Sequence, residues 1–203
     1  MQNYFEIPEI IFNKKELQQL YTNNKNEWAS YGISKNSSLY TQYVSLDNTV
    51  IASILNKFNN LDIVENIKFF KTLAKGYVPS HTDKRKVAIN IPVVVDNKSC
   101  AVFYEKTENF DIPKITVGDN VQDANAKRFK KSKVVEKMYL NKATCLNTNV
   151  PHGVINDSTN DRVILSISFK DEYDSFSLIK DMYNNGKLIW DQKTVVIKQY
   201  IVI

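Results

Sequence analysis

The 203-residue chain predicts a mainly β domain with flanking helices, and three observations carry that expectation. From residue 67 onward, short runs dense in Val, Ile, Phe and Tyr recur between polar turns: IKFFKTLA, VAINIPVVV, CAVFYE, KVVEKMYL, ATCLN and RVILSISF. Spaced short runs of this kind fold as a sandwich or a barrel. The last run, residues 162–169, alternates: Val163, Leu165, Ile167 and Phe169 lie on one face, with Arg162, Ile164, Ser166 and Ser168 on the other. Because strand side chains point alternately to opposite faces, the first set requires a core, and the second, only partly polar, suits the lining of a ligand cavity. Finally, residues 14–21, 47–58 and 173–183 have the periodicity of helices that could cover the outer face of such a sheet.

In chain order, residues 1–66 are expected to form a helical or mixed support region, with Asp47 as N-cap of its second helix. Residues 67–170 supply the β core, and residues 171–203 add a third helix and an edge strand from the apolar tail TVVIKQYIVI. Nothing repeats, and no Gly/Ser/Pro-rich linker divides the chain, so 203 residues read as one domain. Residues 118–133, GDNVQDANAKRFKKSK, lack strand alternation and read as a solvated loop. The alternative is a mobile loop at the mouth of a site, with Lys130, Lys131 and Lys133 steering an acidic partner.

A hydrophobic fraction of 43% and a charged fraction of 24% exclude disorder, collagen and coiled coil. No apolar run approaches the roughly 20 residues that span a bilayer, and the start lacks a secretory pattern, so a cytoplasmic location without a membrane partner is expected. The net charge is +5, yet basic residues are scattered among acids, which argues against nucleic acid. Cys100 and Cys145 stand alone and read as small buried hydrophobes.

The chain has only two histidines, His81 and His152. His81 sits in Pro79-Ser80-His81-Thr82-Asp83, where an imidazole and a carboxylate one residue apart can face one ion; His152 follows Pro151 at the edge of another β-run. Two imidazoles and a carboxylate on one face of a metal leave three positions open, the ligand pattern of non-haem Fe(II) oxygenases, with zinc as the rival metal. Arg162 begins the alternating run, 10 residues after His152, on its partly polar face. A guanidinium there can grip a carboxylate through two parallel hydrogen bonds, and Ser166 on the same face offers a hydroxyl.

The segments AKGYVPSHTDKRKVAINIPVVV and TNVPHGVINDSTNDRVILSISF resemble the two metal-bearing blocks of the Fe(II)/2-oxoglutarate-dependent oxygenases, in the flavour of aspartyl/asparaginyl β-hydroxylase-like or phage-type members. The resemblance covers about residues 67–170. It implies a double-stranded β-helix, the cupin-like jelly-roll, with Fe(II) and the cosubstrate 2-oxoglutarate inside. It further implies His81, Asp83 and His152 as catalytic iron ligands, Arg162 as partner of the distal carboxylate of 2-oxoglutarate, and Asn90 near its other end. The implied reaction consumes O2 and hydroxylates an unactivated C–H bond of a polypeptide side chain or a small molecule, releasing succinate and CO2. Asp83 sets the chain apart from aspartyl hydroxylases that lack the acidic ligand. The Asn- and Lys-heavy composition matches an AT-rich genome, as in phage-encoded relatives, and would place the chain in a host cytoplasm.

Each residue also has a plainer reading. A histidine near strands is more often a hydrogen-bonded residue than a ligand, Asp83 suits a turn, and Arg162 has Asp157 and Asp161 nearby. Phe103 and Tyr104 read as core, and Pro79 and Pro151 as shapers of turns. Two other functions stay open: a cupin-like metal enzyme that does not use 2-oxoglutarate, and a jelly-roll that binds a ligand without redox chemistry.

Overall fold

The computed structural model describes residues 2–23, 29–30, 39–43, 49–58, 61–112, 114–117, 120–123 and 126–189. In chain order the elements are β1 (Tyr4–Glu6), α1 (Lys14–Asn23), β2 (Ala29–Ser30), β3 (Leu39–Tyr43) and α2 (Thr49–Leu55). Then come β4 (Val64–Thr72), β5 (Tyr77–Asp83), β6 (Val87–Val94), β7 (Ser99–Tyr104), β8 (Phe110–Asp111), β9 (Lys114–Val117), β10 (Asn120–Asp123) and β11 (Ala126–Phe129). The chain continues through β12 (Val134–Met138), β13 (Thr144–Asn147), β14 (His152–Asn156), β15 (Arg162–Phe169) and α3 (Phe176–Asn184).

Two main antiparallel sheets and a separate β9-β10 pair are built from these strands, the larger sheet in the order β1-β13-β6-β15-β4-β3-β2 and the smaller in the order β12-β7-β14-β5-β11-β8. Strands β4, β6, β13 and β15 belong to the larger sheet; β5, β7, β12 and β14 belong to the smaller. The chain therefore crosses between sheets at nearly every turn, with β7 and β12 as the hairpin at its midpoint. That winding is a double-stranded β-helix, the jelly-roll, and it brings strands distant in sequence side by side.

Alternation in β15 sorts its side chains as the sequence indicates. Val163, Leu165, Ile167 and Phe169 join Ile89, Ile91, Ile67 and Phe69 in the principal core beneath the helices, where Leu17, Ile51 and Ile179 cover the outer face of the larger sheet. Ile164 points the other way, between the sheets, and packs with Ala101, Phe103, Met138, Leu140 and Leu146. Burial of so many side chains at roughly 25 cal/mol per Å2 of apolar surface holds both layers to the fold. Helix α3 starts at a Ser175 cap whose side chain accepts from the Leu178 amide. Cys100 and Cys145 are free thiols and buried.

Some expectations change. Residues 118–133 are not simply a loop: β10 and β11 fall within them, β10 pairing with β9 and β11 with both β5 and β8. The stretch reads as a loop because an added strand near the edge of a sheet needs no apolar periodicity. The second helix is shorter than expected, spanning Thr49–Leu55. Asp47 and the tail 194–203 lie outside the described residues. No helix among the described residues is long and apolar enough to cross a membrane.

Candidate metal centre

Strand β5 lies between β14 and β11, and in that register His81 pairs with His152 on one side and with Arg128 on the other. His152 in turn pairs with Phe103 of β7, and Arg128 with Asp111 of β8. Directly paired residues project from the same face, so Phe103, His152, His81, Arg128 and Asp111 form one row across the smaller sheet. Phe103 lies in the core between the sheets, which identifies this as the inner face. Asp83, two residues beyond His81, returns to that same face by strand alternation.

The two imidazole centroids are 4.5 Å apart, and His81 Nε2 lies 3.4 Å from Asp83 Oδ1. One ligand atom from each of His81, Asp83 and His152 can be chosen so that all three lie within 4.8 Å of one another. Both rings are oriented in the same way: His81 Nδ1 donates to the Pro79 carbonyl at 2.8 Å, and His152 Nδ1 donates to the Val150 carbonyl at 3.0 Å. Protons held at Nδ1 leave each Nε2 lone pair free for a metal, and the backbone bonds fix the ring planes.

Gly153 makes this approach possible. A Cβ at that position would lie 2.4 Å from the Val78 carbonyl oxygen and 3.2 Å from both the Pro79 carbonyl oxygen and the Tyr104 ring. The pairing of β14 with β5 also shifts register between His152 and Val154, a local bulge next to the ligand.

Electrostatics favour a metal-ready protonation state. Burial, followed by the neighbouring His81, lowers the His152 imidazole to about 4, so it is neutral near pH 7. Burial alone would raise the Asp83 carboxyl. The Arg85 guanidinium is the chief cause that reverses this and holds Asp83 well below the usual carboxylate range. Arg85 Nε donates to Asp83 Oδ2 at 2.9 Å, its Nη1 donates to Ser166 Oγ at 3.3 Å, and the guanidinium lies 5.2 Å from the Phe70 ring centroid. Arg85 lies outside the metal-ligand motif, and its only sequence signal is a position two residues beyond Asp83.

Ser166 is thereby joined to Asp83 through Arg85, and Asn90 is its cross-strand partner. Asn90 is buried and its Oδ1 has no hydrogen-bond partner. Arg162 is elsewhere. It stands four positions before Ser166, about 13 Å along an extended strand. Its side chain belongs to the other end of the barrel and lines a cavity of about 100 Å3 together with Val94, Val95, Asp96, Ser99, Asn156 and Asp161, among others.

Arg162 is 3% exposed and its Nε has no hydrogen-bond partner. Asp161 does not neutralise it in this structure; the Asp161 carboxylate accepts from the Ala74 amide at 2.9 Å. Burial lowers the Arg162 guanidinium to about 10, which still leaves it charged at neutral pH. A buried cation with an unsatisfied donor is costly unless an anion completes it.

No family model matches the chain, and no curated protein matches it in sequence. Solved structures do match. The epimerase SnoN from nogalamycin biosynthesis, in complex with Fe3+, alpha ketoglutarate and nogalamycin RO, is 12% identical over 83% of this chain and 79% of that chain, with a TM-score of 0.53. The non-heme alpha ketoglutarate dependent carbocyclase SnoK is 11% identical over 83% and 79%, with a TM-score of 0.52. A prolyl-4-hydroxylase of Pseudomonas putida is 10% identical over 84% and 93%, with a TM-score of 0.50. At such identities the likeness establishes the fold alone.

Proposed function

We propose that the chain is an Fe(II)- and 2-oxoglutarate-dependent oxygenase that hydroxylates an unactivated C–H bond. The observation that carries this reading is the buried, unsatisfied Arg162 guanidinium in the same barrel as the His81, Asp83 and His152 cluster. A metal centre alone fits zinc equally well, whereas a buried arginine awaiting an anion calls for an acidic cosubstrate. Two imidazole nitrogens and one carboxylate suit Fe(II) and leave coordination positions open. Bound together, iron and 2-oxoglutarate would supply oxygen activation coupled to release of succinate and CO2.

The chain contributes position and electrostatics to that chemistry. His81 and His152 present Nε2 because their Nδ1 protons are committed to backbone carbonyls. Asp83 presents Oδ1 beside His81 while Oδ2 is held by Arg85. Arg162 pairs with the distal carboxylate of 2-oxoglutarate, and Asn90, whose Oδ1 is unpaired, lies towards the Ser166 and Arg85 end of the barrel. The apolar wall of Phe103 and Ile164 keeps water from the space between these polar ends.

The named neighbours include an epimerase, a carbocyclase and a prolyl hydroxylase, so the fold does not choose among outcomes. Hydroxylation is the reading proposed here; because Asp83 retains the acidic ligand position, no protein ligand is missing where a halide could bind. Metal-free protein supplied with Fe(II), 2-oxoglutarate and O2 is expected to form succinate, and His81→Ala or His152→Ala should abolish both succinate and Mn(II) binding while the fold persists. Iron-loaded protein that forms no succinate above background would remove 2-oxoglutarate from the reading.

A further inference from the structure

The strand pair β8 and β11 brings charge into the row of the metal centre. Arg128 is the cross-strand partner of His81, on the side opposite His152. Its Nε donates to Asp111 Oδ1 at 3.2 Å and its Nη2 to Asp111 Oδ2 at 3.1 Å. Lys130 Nζ approaches the same carboxylate at 3.4 Å. Two cations thus share one acid, and a guanidinium has five N–H donors of which Asp111 takes two. The side chains of Arg128 and Asp111 are 28% and 34% exposed, accessible to a solute yet partly shielded from water. The other face of the pair is anchored by Phe129, whose ring lies 5.8 Å from that of Phe110, with Lys127 Nζ 4.7 Å from the Phe110 centroid. Arg128 is therefore mounted on a braced strand. Arg85 adds a further cation beyond Asp83, reaching across to the larger sheet.

We propose that Arg128 is a substrate-binding residue, and that the primary substrate carries a carboxylate or phosphate that docks on its guanidinium beside the metal, with Asp111 as internal competitor. This deepens the oxygenase reading and rests on it. Asp111 keeps the guanidinium oriented before substrate arrives, and an incoming anion takes the remaining donors while Lys130 offsets the added charge. Charge-assisted hydrogen bonds are strong enough for one such contact to select between anionic and neutral molecules. Of the three lysines expected to steer an acidic partner, Lys130, Lys131 and Lys133, Lys130 is paired with Asp111.

The proposal is tested on protein loaded with Mn(II) and 2-oxoglutarate, by following the paramagnetic broadening of inorganic phosphate in 31P spectra and of labelled acetate in 13C spectra, with acetamide as the neutral control. Saturable broadening of at least one anion and none of acetamide is expected, and the stronger anion names the source. Arg128→Gln should weaken that anion by at least roughly tenfold, whereas Asp111→Asn should tighten it. A purely structural pair would lose affinity in both variants. Equal broadening in native protein and Arg128→Gln, as direct ligation of Mn(II) would give, overturns the proposal, as does Mn(II) loading without any anion effect. Failure of native protein to bind Mn(II) would instead remove the metal reading, and this proposal with it.

Discussion

Replacing Arg162 by Met should make the ligand-free protein more stable while weakening its hold on 2-oxoglutarate. Burial lowers the guanidinium from its ordinary value to about 10, and at about 1.36 kcal/mol per pKa unit the charged form therefore costs the folded state on the order of 3 kcal/mol at neutral pH. The sign follows from proton binding: below about pH 10 the arginine is charged in both states, so the whole penalty is present. Met fills much of the same space without charge, and imperfect packing returns about 1 kcal/mol. A net gain of about 2 kcal/mol should raise the Tm by roughly 4–8 °C for a chain of this size. In the same variant, loss of charge-assisted bonds worth about 1.5–3 kcal/mol should weaken 2-oxoglutarate by roughly tenfold to a hundredfold. Calorimetric melts with and without Mn(II) and 2-oxoglutarate read both effects. A ligand-free variant less stable than native protein would show that Arg162 has a structural partner, and an unchanged cosubstrate shift would assign the distal carboxylate to another residue.

Other perturbations have equally definite signs. Gly153→Ala places a methyl against backbone oxygens of β5; it should destabilise by about 1–3 kcal/mol and weaken Mn(II) binding by displacing His152, whereas an ordinary glycine-to-alanine exchange stabilises by about 0.4–1 kcal/mol. A melt at or above the native Tm would refute the close approach. Metal-free protein should lose stability as pH falls from 6.5 to about 4, because the unfolded chain takes up the His152 proton before the folded one does. The Asp83 carboxyl, held far lower, stays ionised through that window. The loss has a ceiling on the order of 3 kcal/mol, and His152→Gln should flatten the denaturation midpoints across the same range; a parallel profile in that variant would place the titration elsewhere.

The sequence was most readable where a constraint is local. Strand β15 advertises itself because each of its residues faces either the helix-covered core or the interior, and the alternation is visible in eight consecutive letters. Helices α1 and α3 show in the same way. The two strands that carry the candidate ligands, β5 and β14, read from sequence only as the edges of β-runs. YVPSHTD contains a proline and four polar residues, and HGVIN is short and includes glycine, so neither has the composition of a β-run. They are strands because β5 is paired on both sides, by β14 and β11, and β14 by β5 and β7. Chemistry exposed these segments where periodicity hid them, since two histidines and an aspartate stood out by type.

Arg85 and Arg128 illustrate the opposite limit. Arg85 matters through a turn that folds its side chain back onto Asp83 and across to Ser166, 81 residues away. Arg128 matters through register: the row Phe103, His152, His81, Arg128 and Asp111 takes one residue from each of five strands, and its order across the sheet is unrelated to its order in the chain. Shifting β11 by one residue would turn Arg128 to the outer face and bring a neighbour inward. In one dimension, Arg128 is one cation in a basic run. The pairing of β11 with β5 gives it a distinct chemical position, which is why the proposed substrate side of the site is legible only from the winding of the sheets, while the candidate metal side is already marked by residue type.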